Sequence, residues 1–263
     1  MMVGAADRLA FSTLSCVAMG APATVPYPLE RLAEAVGAAG FGRIGLDWFT
    51  LRDAERRGVR PDLGGLEPTE LCALGLGEDP SADERVARSM ARRCAELGIP
   101  VCVLAATVPV SDALCRRVAA VAALFGDTRV AIEFLPYSGV RTLAEARALS
   151  ARTGCGIVVD TLHLLRSGGR PTDLADTDDL AVVQLADGAA EPPATAAWLA
   201  EESRTARLLP GTGVVDFAGL AATLGELGYR GPLTLEVLSD RLRRLPLEQF
   251  LSRARTAALA ALA

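Results

Sequence analysis

Four apolar runs in this chain each end on a polar side chain able to bind a metal ion. They are Val130-Ala131-Ile132-Glu133, Gly156-Ile157-Val158-Val159-Asp160, Ala181-Val182-Val183-Gln184 and Pro232-Leu233-Thr234-Leu235-Glu236. A carboxylate buried at the end of an apolar strand is costly unless something neutralises it. Four such groups, spaced as successive strand–helix units would space them, point to convergence on one cation. Three carboxylates and an amide make an oxygen-rich set. That set suits a hard divalent cation such as Mg²⁺ or Mn²⁺, and Co²⁺ or Zn²⁺ can also bind it. The competing reading makes two of these groups helix caps or ion pairs and the others chance; the consistent placement of all four favours the metal.

Further candidates lie beside these runs. Asp160-Thr161-Leu162-His163 holds the only histidine in the chain. Histidine titrates near neutral pH and suits acid–base work, and this one follows a proposed ligand directly. Arg207 opens the stretch Arg207-Leu208-Leu209-Pro210-Gly211-Thr212-Gly213. A guanidinium there can hold a carboxylate, phosphate or hydroxyl oxygen of a substrate, the bland alternative being a surface arginine. Asp187 and Glu202 are weaker substrate-binding candidates, or orient Arg207 or His163. Trp48, with Phe49, forms either an apolar wall of the site or part of the core.

Apolar runs of β type alternate with helical patterns from end to end, and these elements must position the candidates. The strands are expected at Leu9–Cys16, Arg43–Asp47, Leu71–Leu76, Val101–Ala105, Arg129–Phe134, Gly156–Asp160, Ala181–Ala186 and Leu233–Val237. The clearest helices are expected at Pro28–Ala39, Ser81–Leu97, Asp112–Leu124, Thr142–Thr153, Asp216–Leu227 and Leu247–Leu262, with Gly40, Gly98, Gly154 and Gly228 as terminators. The strands are continuously apolar rather than alternating, as parallel strands covered on both faces are. Eight βα units in about 250 residues match an α/β fold of the (β/α)8 TIM-barrel type. An open doubly wound sheet would carry a Gly-rich first turn, which is absent here. No linker or low-complexity segment divides the chain, so residues 1–263 read as a single domain. Two regions fit poorly: Leu51 to Glu70, where Gly and Pro interrupt the expected second helix, and Gly188 to Thr212, a long stretch expected to cover the substrate.

Composition excludes several classes of function. With 263 residues, 51% hydrophobic and 22% charged, the chain has ample apolar material for a large core. A net charge of −5 gives a nucleic-acid role no electrostatic support. All 27 basic residues are Arg, and there is no Lys. Schiff-base chemistry, a pyridoxal-phosphate lysine and a P-loop lysine are therefore ruled out. The six cysteines form no C-x-x-C pair and read as buried thiols in a reducing, cytoplasmic setting. No run is long enough to span a membrane. Leu9 to Ala23 is faintly like a signal peptide, but Ser12, Thr13 and Ser15 interrupt it and its loss would delete the first strand. A small molecule is the expected partner; the oligomeric state, a homodimer among its options, is not set by the sequence.

These residues resemble the xylose isomerase-like TIM barrels, the sugar phosphate isomerase/epimerase superfamily. The resemblance runs from about Phe11 to Leu251 and is strongest in Ile132 to Pro136, Val159 to His163, Val183 to Asp187, Arg207 to Gly213, and Gly228 to Val237. It implies that Glu133, Asp160, Gln184 and Glu236 bind a divalent metal and that Glu133 and Glu236 double as proton carriers. Many members carry His where Gln184 stands. Gln184, Gly228-Tyr229-Arg230-Gly231-Pro232-Leu233 and Ser239-Asp240-Arg241-Leu242-Arg243 look like the 3-dehydroshikimate dehydratase branch, in which the match to His163 takes part in proton transfer. The Trp- and His-rich stretch expected there after strand five is replaced by Leu135-Pro136-Tyr137-Ser138-Gly139-Val140.

The leading expectation is a metal-dependent isomerase or epimerase of a small polyhydroxy carbonyl compound, working through an enediolate, with Glu133, Glu236 and His163 as acid–base groups. Second stands a dehydratase that expels a β-hydroxyl from the same enolate. Third stands a barrel that has lost catalysis and only binds a ligand.

Overall fold

A computed structural model describes residues 4–263. Eight parallel strands close into a barrel in simple chain order: β1 (Leu9–Ser12), β2 (Arg43–Asp47), β3 (Glu67–Leu76), β4 (Val101–Ala106), β5 (Arg129–Glu133), β6 (Gly156–Asp160), β7 (Leu180–Leu185) and β8 (Leu233–Leu235). Closure is made by β8 on β1, where Leu9 stands opposite Leu233 and Phe11 opposite Leu235. Parallel neighbours need a crossover, and a helical segment following each strand supplies it.

Alternation along each strand divides its residues between two cores. Val101 and Val103 of β4 pack inside the barrel with Cys72, Ala131, Val158 and Val182. Cys102 and Leu104, their neighbours in sequence, face the helices and join the larger cluster between the barrel and its jacket. Phe11 anchors that outer cluster, with its ring 5.5 Å from Phe250 and 5.9 Å from Phe41.

After an opening turn, α1 (Ala5–Arg8), the jacket is α2 (Leu29–Ala38), α3 (Trp48–Arg56), α4 (Pro80–Leu97), α5 (Asp112–Ala122), α6 (Leu143–Thr153), α7 (Thr161–Arg166), α8 (Ala196–Thr205), α9 (Phe217–Glu226), α10 (Asp240–Arg243) and α11 (Leu247–Ala261). The six helices expected from periodicity are present to within two residues at either end. Gly40, Gly98, Gly154 and Gly228 all have positive φ, the left-handed backbone that ends a helix.

The two awkward regions resolve differently from expectation. α3 begins at Trp48, ahead of the expected stretch, because Asp47 at the end of β2 caps it by accepting from the Thr50 N–H. The Gly- and Pro-rich residues that follow are the return to β3, which itself starts at Glu67 rather than Leu71. The stretch from Gly188 to Thr212, expected as a loop, carries the ten-residue α8, capped by Thr195. β1 is shorter than expected, ending at Ser12 and passing into a 3₁₀ turn over Thr13–Cys16. The faintly leader-like stretch thus supplies the first barrel strand. No helix among the described residues is long and apolar enough to cross a membrane. The six cysteines are free and buried.

Candidate active site

The strands deliver the candidate side chains to the C-terminal rim of the barrel. Glu133 is the last residue of β5 and Asp160 the last of β6; Gln184 is next to last in β7, and Glu236 directly follows β8. All four are buried, Gln184 and Asp160 completely. Asp160 also caps α7: its Oδ1 accepts from the backbone N–H groups of Leu162 (2.8 Å) and His163 (3.0 Å). That cap starts the helix at once and turns His163, in its first turn, back over the rim.

Arg207 lies at the centre of the charge. Its Nη1 donates to Asp160 Oδ2 at 2.5 Å and to the Glu236 carbonyl at 2.9 Å, its Nε donates to the Ser203 carbonyl at 2.7 Å, and its Nη2 lies 3.7 Å from Glu236 Oε1. Asp160 and Glu236 hold the guanidinium above its usual pKa in spite of burial. Burial alone would raise the Asp160 carboxyl, but Arg207, His163 and the backbone N–H groups bring it below its ordinary value. Glu133 has no such neighbour at hydrogen-bond distance. Burial, then Glu236 and Asp160, push it well above the usual carboxylate range.

His163 is 1% exposed and its pKa falls to about 4: burial disfavours the imidazolium, Arg207 adds to this, and Asp160 opposes it. The ring is neutral at pH 7. Its Nε2 lies 3.7 Å from Glu133 Oε1, 3.4 Å from Arg207 Nη2 and 3.5 Å from Ser203 Oγ. Ser203 Oγ already accepts from Tyr137 Oη (2.9 Å) and Arg207 Nη2 (3.2 Å), so its own proton is free for His163. The hydrogen-bond network therefore assigns Nε2 as the acceptor and Nδ1 as the protonated nitrogen. Tyr137 also meets the imidazole edge-on, with centroids 5.7 Å apart.

The four expected metal ligands are brought to one rim but arranged as two linked groups. One ligand atom each from Glu133, Asp160 and His163 lie mutually within 4.8 Å, the one such metal-competent cluster of acidic, His or Cys side chains among the described residues. Gln184 and Glu236 form the second group: Gln184 Nε2 donates to Glu236 Oε2 at 3.2 Å and to Cys72 Sγ at 3.3 Å. Arg207 ties the two groups together. Gln184 Oε1 is buried and has no hydrogen-bond partner.

The remaining candidates stand outside this network. The carboxylate of Asp187 accepts from three backbone N–H groups, of Gly188, Gly213 and Val215, so it ties down its own loop. Glu202 pairs with Arg166 (2.5 and 2.8 Å) rather than with Arg207 or His163. The reason is local: Glu202 on α8 faces α7, while the next residue, Ser203, faces Arg207. Trp48 is half-buried against the outer core, in the first turn of α3. Sequence reasoning missed three residues of the site. Ser203, near the end of α8 and four residues before Arg207, carries only the hint of that nearness, and Tyr137 only that of following Glu133. No signal marks Cys72, since a cysteine in an apolar strand reads as a small hydrophobe.

Similar proteins share this fold. The family model of the xylose isomerase-like TIM barrel matches residues 18–259. A 3-dehydroshikimate dehydratase of Pseudomonas aeruginosa is 32% identical over 251 residues, covering 83% of this chain and 37% of that protein. Another of the same description, from Pseudomonas putida, is 38% identical over 96 residues, 36% of this chain and 14% of that one. The match thus spans little more than a third of the first relative and about a seventh of the second. Among solved structures, a xylose isomerase-like TIM barrel/4-hydroxyphenylpyruvate dioxygenase fusion protein superposes with a TM-score of 0.80 at 24% identity, over 97% of this chain and 42% of that one. The IOLI protein with a bound zinc atom superposes with a TM-score of 0.79 at 18% identity, over 97% and 98%. A match over almost the whole length, on a closed eight-stranded barrel with its acidic rim, makes this chain a member of the xylose isomerase-like TIM barrel family.

Proposed function

We propose that this chain is a divalent-metal-dependent dehydratase that removes water from a cyclic polyhydroxy ketone of the 3-dehydroshikimate type. The observation that carries the reading is the buried rim where neutral His163 faces Glu133 and Asp160, with Gln184 alongside, in a chain similar over 83% of its length to a 3-dehydroshikimate dehydratase. Isomerisation, the first expectation from the sequence, shares the enolate but gains no support from that relative.

The residues present fit a divalent cation. Three carboxylates (Glu133, Asp160, Glu236) against one guanidinium (Arg207) leave two negative charges when all are ionised, in a largely buried place. The orphaned Gln184 Oε1 is a further neutral oxygen with nothing to bind. Glu133, Asp160, Gln184 and Glu236 would hold the ion, as hard-oxygen ligands suited to Mg²⁺ or Mn²⁺. When bound, such an ion supplies Lewis acidity that stabilises negative charge on a ketone oxygen.

The chain supplies the proton handling. His163 Nε2, unprotonated at neutral pH, accepts the proton from the carbon α to the ketone, and the C–H electron pair becomes the enolate. That pair then forms the carbon–carbon double bond as the β C–O bond breaks. The departing oxygen takes back the same proton from His163 and leaves as water, so the imidazole ends neutral. Tyr137 and Ser203 hold Nε2 at the working angle, and Arg207 keeps Asp160 ionised.

The test is incubation with 3-dehydroshikimate, following the ultraviolet band of an aromatic product. The band should grow with Mn²⁺ or Mg²⁺, vanish after chelation and return with added metal. His163→Gln should lower kcat by at least about 10²-fold. Absence of the band in the metal-loaded protein, with interconversion of keto sugars instead, would restore the isomerase reading.

A further inference from the structure

We infer that Cys72 is a positioning residue that fixes the amide of Gln184 so that its oxygen, not its nitrogen, is presented to the cation. The inference rests on the proposed metal reading and names a device within it. Cys72 sits on β3 with its side chain inside the barrel, 2% exposed. Its Sγ accepts from Gln184 Nε2 at 3.3 Å, and the same Nε2 donates to Glu236 Oε2 at 3.2 Å. An amide nitrogen has two donors, and both are thereby used. The consequence falls on the other end of the amide: Oε1 is buried with no partner.

A glutamine can flip its amide about the last torsion with little change in shape. What decides the flip is which end finds partners. With the thiol in place, the nitrogen is held by two acceptors on the β3 and β8 sides, and the oxygen is left as a ready ligand. Without it, one donor loses its acceptor, and the amide is held by Glu236 alone, so its plane is free to swing about that single bond and Oε1 is no longer fixed toward the ion. Ser12 on β1 supports the same arrangement from the far side, donating its hydroxyl to Glu236 Oε2 at 3.2 Å. Groups that orient a ligand in this way typically change metal affinity by about 10–100-fold when removed.

The experiment measures Mn²⁺ affinity by the loss of the free-ion electron paramagnetic resonance signal, which reads the site without turnover. Cys72→Ala should weaken binding by about tenfold or more. Cys72→Ser, which keeps a donor–acceptor at the same place, should bind within about threefold of the native chain. Cys102→Ala makes a comparable vacancy on β4 but faces the helices, so it should leave affinity unchanged. Equal affinity in Cys72→Ala and the native chain overturns the inference, as does equal weakening in Cys102→Ala. The underlying metal reading is judged separately by Asp160→Ala: if that change leaves Mn²⁺ binding intact, the rim is not the metal site at all.

Discussion

At the scale of single residues, the site is a problem of charge, and Arg207 is its solution. Its guanidinium touches Asp160 and the Glu236 backbone and lies near the Glu236 carboxylate, all in the protein interior. Removing one partner of a buried pair leaves the other uncompensated, at a cost of about 3–5 kcal/mol. Arg207→Ala should therefore lose about that much stability in metal-free protein by urea denaturation, and saturating Mn²⁺ should recover part of it. A loss below about 1 kcal/mol would mean the carboxylates are neutral without it. The rim residues were legible in the sequence because charge at the end of an apolar strand has few explanations. Glu202 pairs with Arg166 instead of Arg207 or His163 for the converse reason: type and neighbourhood are visible in a sequence, but the direction of a side chain is not. Glu202 and Ser203 are consecutive, yet one faces Arg166 and the other faces Arg207 and His163.

At the scale of elements, the segment after β7 decides whether the rim is complete. Arg207 belongs to no strand; its position comes from α8 before it and from the loop after it. That loop is bound to the barrel by Asp187, whose backbone exchanges two hydrogen bonds with Leu208 and whose carboxylate holds the Gly213 and Val215 N–H groups at 2.8 and 2.9 Å. Gly213 is required there, since an added Cβ would fall 2.1 Å from the Gly188 carbonyl oxygen. Asp187→Ala should release these amides while sparing the barrel. Hydrogen exchange at Gly213 and Val215 should quicken by at least about tenfold, the equivalent of about 1.4 kcal/mol of local opening, and kcat/KM should fall as Arg207 loosens. Unchanged exchange at both amides would show that the loop is held by something else. The glycines marked this segment in the sequence, but α8 within it stayed hidden: the length of the stretch and Pro192-Pro193 ahead of the helix read as a loop, and the Thr195 cap became meaningful only once the helix was seen.

At the scale of the whole molecule, the continuous apolar runs specified the closed barrel, because parallel strands covered on both faces tolerate little else. What they could not specify is how the barrel interior accommodates charge below the rim. Glu70 lies inside on β3, fully buried, with Oε2 accepting from Thr234 Oγ1 at 3.1 Å and Oε1 unpartnered. It fits only because Gly45 on β2 has no side chain: a Cβ there would sit 2.7 Å from Oε1. Burial, with Glu236 adding to it, raises the Glu70 carboxyl from its usual 4.5 to about 7, although the neighbouring hydroxyls of Thr69 and Thr234 oppose the shift. The sign follows from linkage. The folded chain keeps a proton that the unfolded chain releases above pH 4.5, so the stability Glu70 contributes is complete below that pH and is lost as pH rises through about 7. Glu70→Gln has nearly the same shape and no charge to bury. In metal-free protein it should match the native chain near pH 4 and exceed it at pH 8 by up to roughly 3 kcal/mol, each pH unit being worth about 1.4 kcal/mol. Urea unfolding of both proteins across this range reads the difference directly, and a gap that does not change with pH would place the Glu70 proton elsewhere. The difference matters to function because Glu70 and Cys72 are on the same face of one strand. A charge appearing at Glu70 adds to the negative potential at Glu236, so a divalent cation held at the proposed site would stabilise the barrel more above neutral pH than below it.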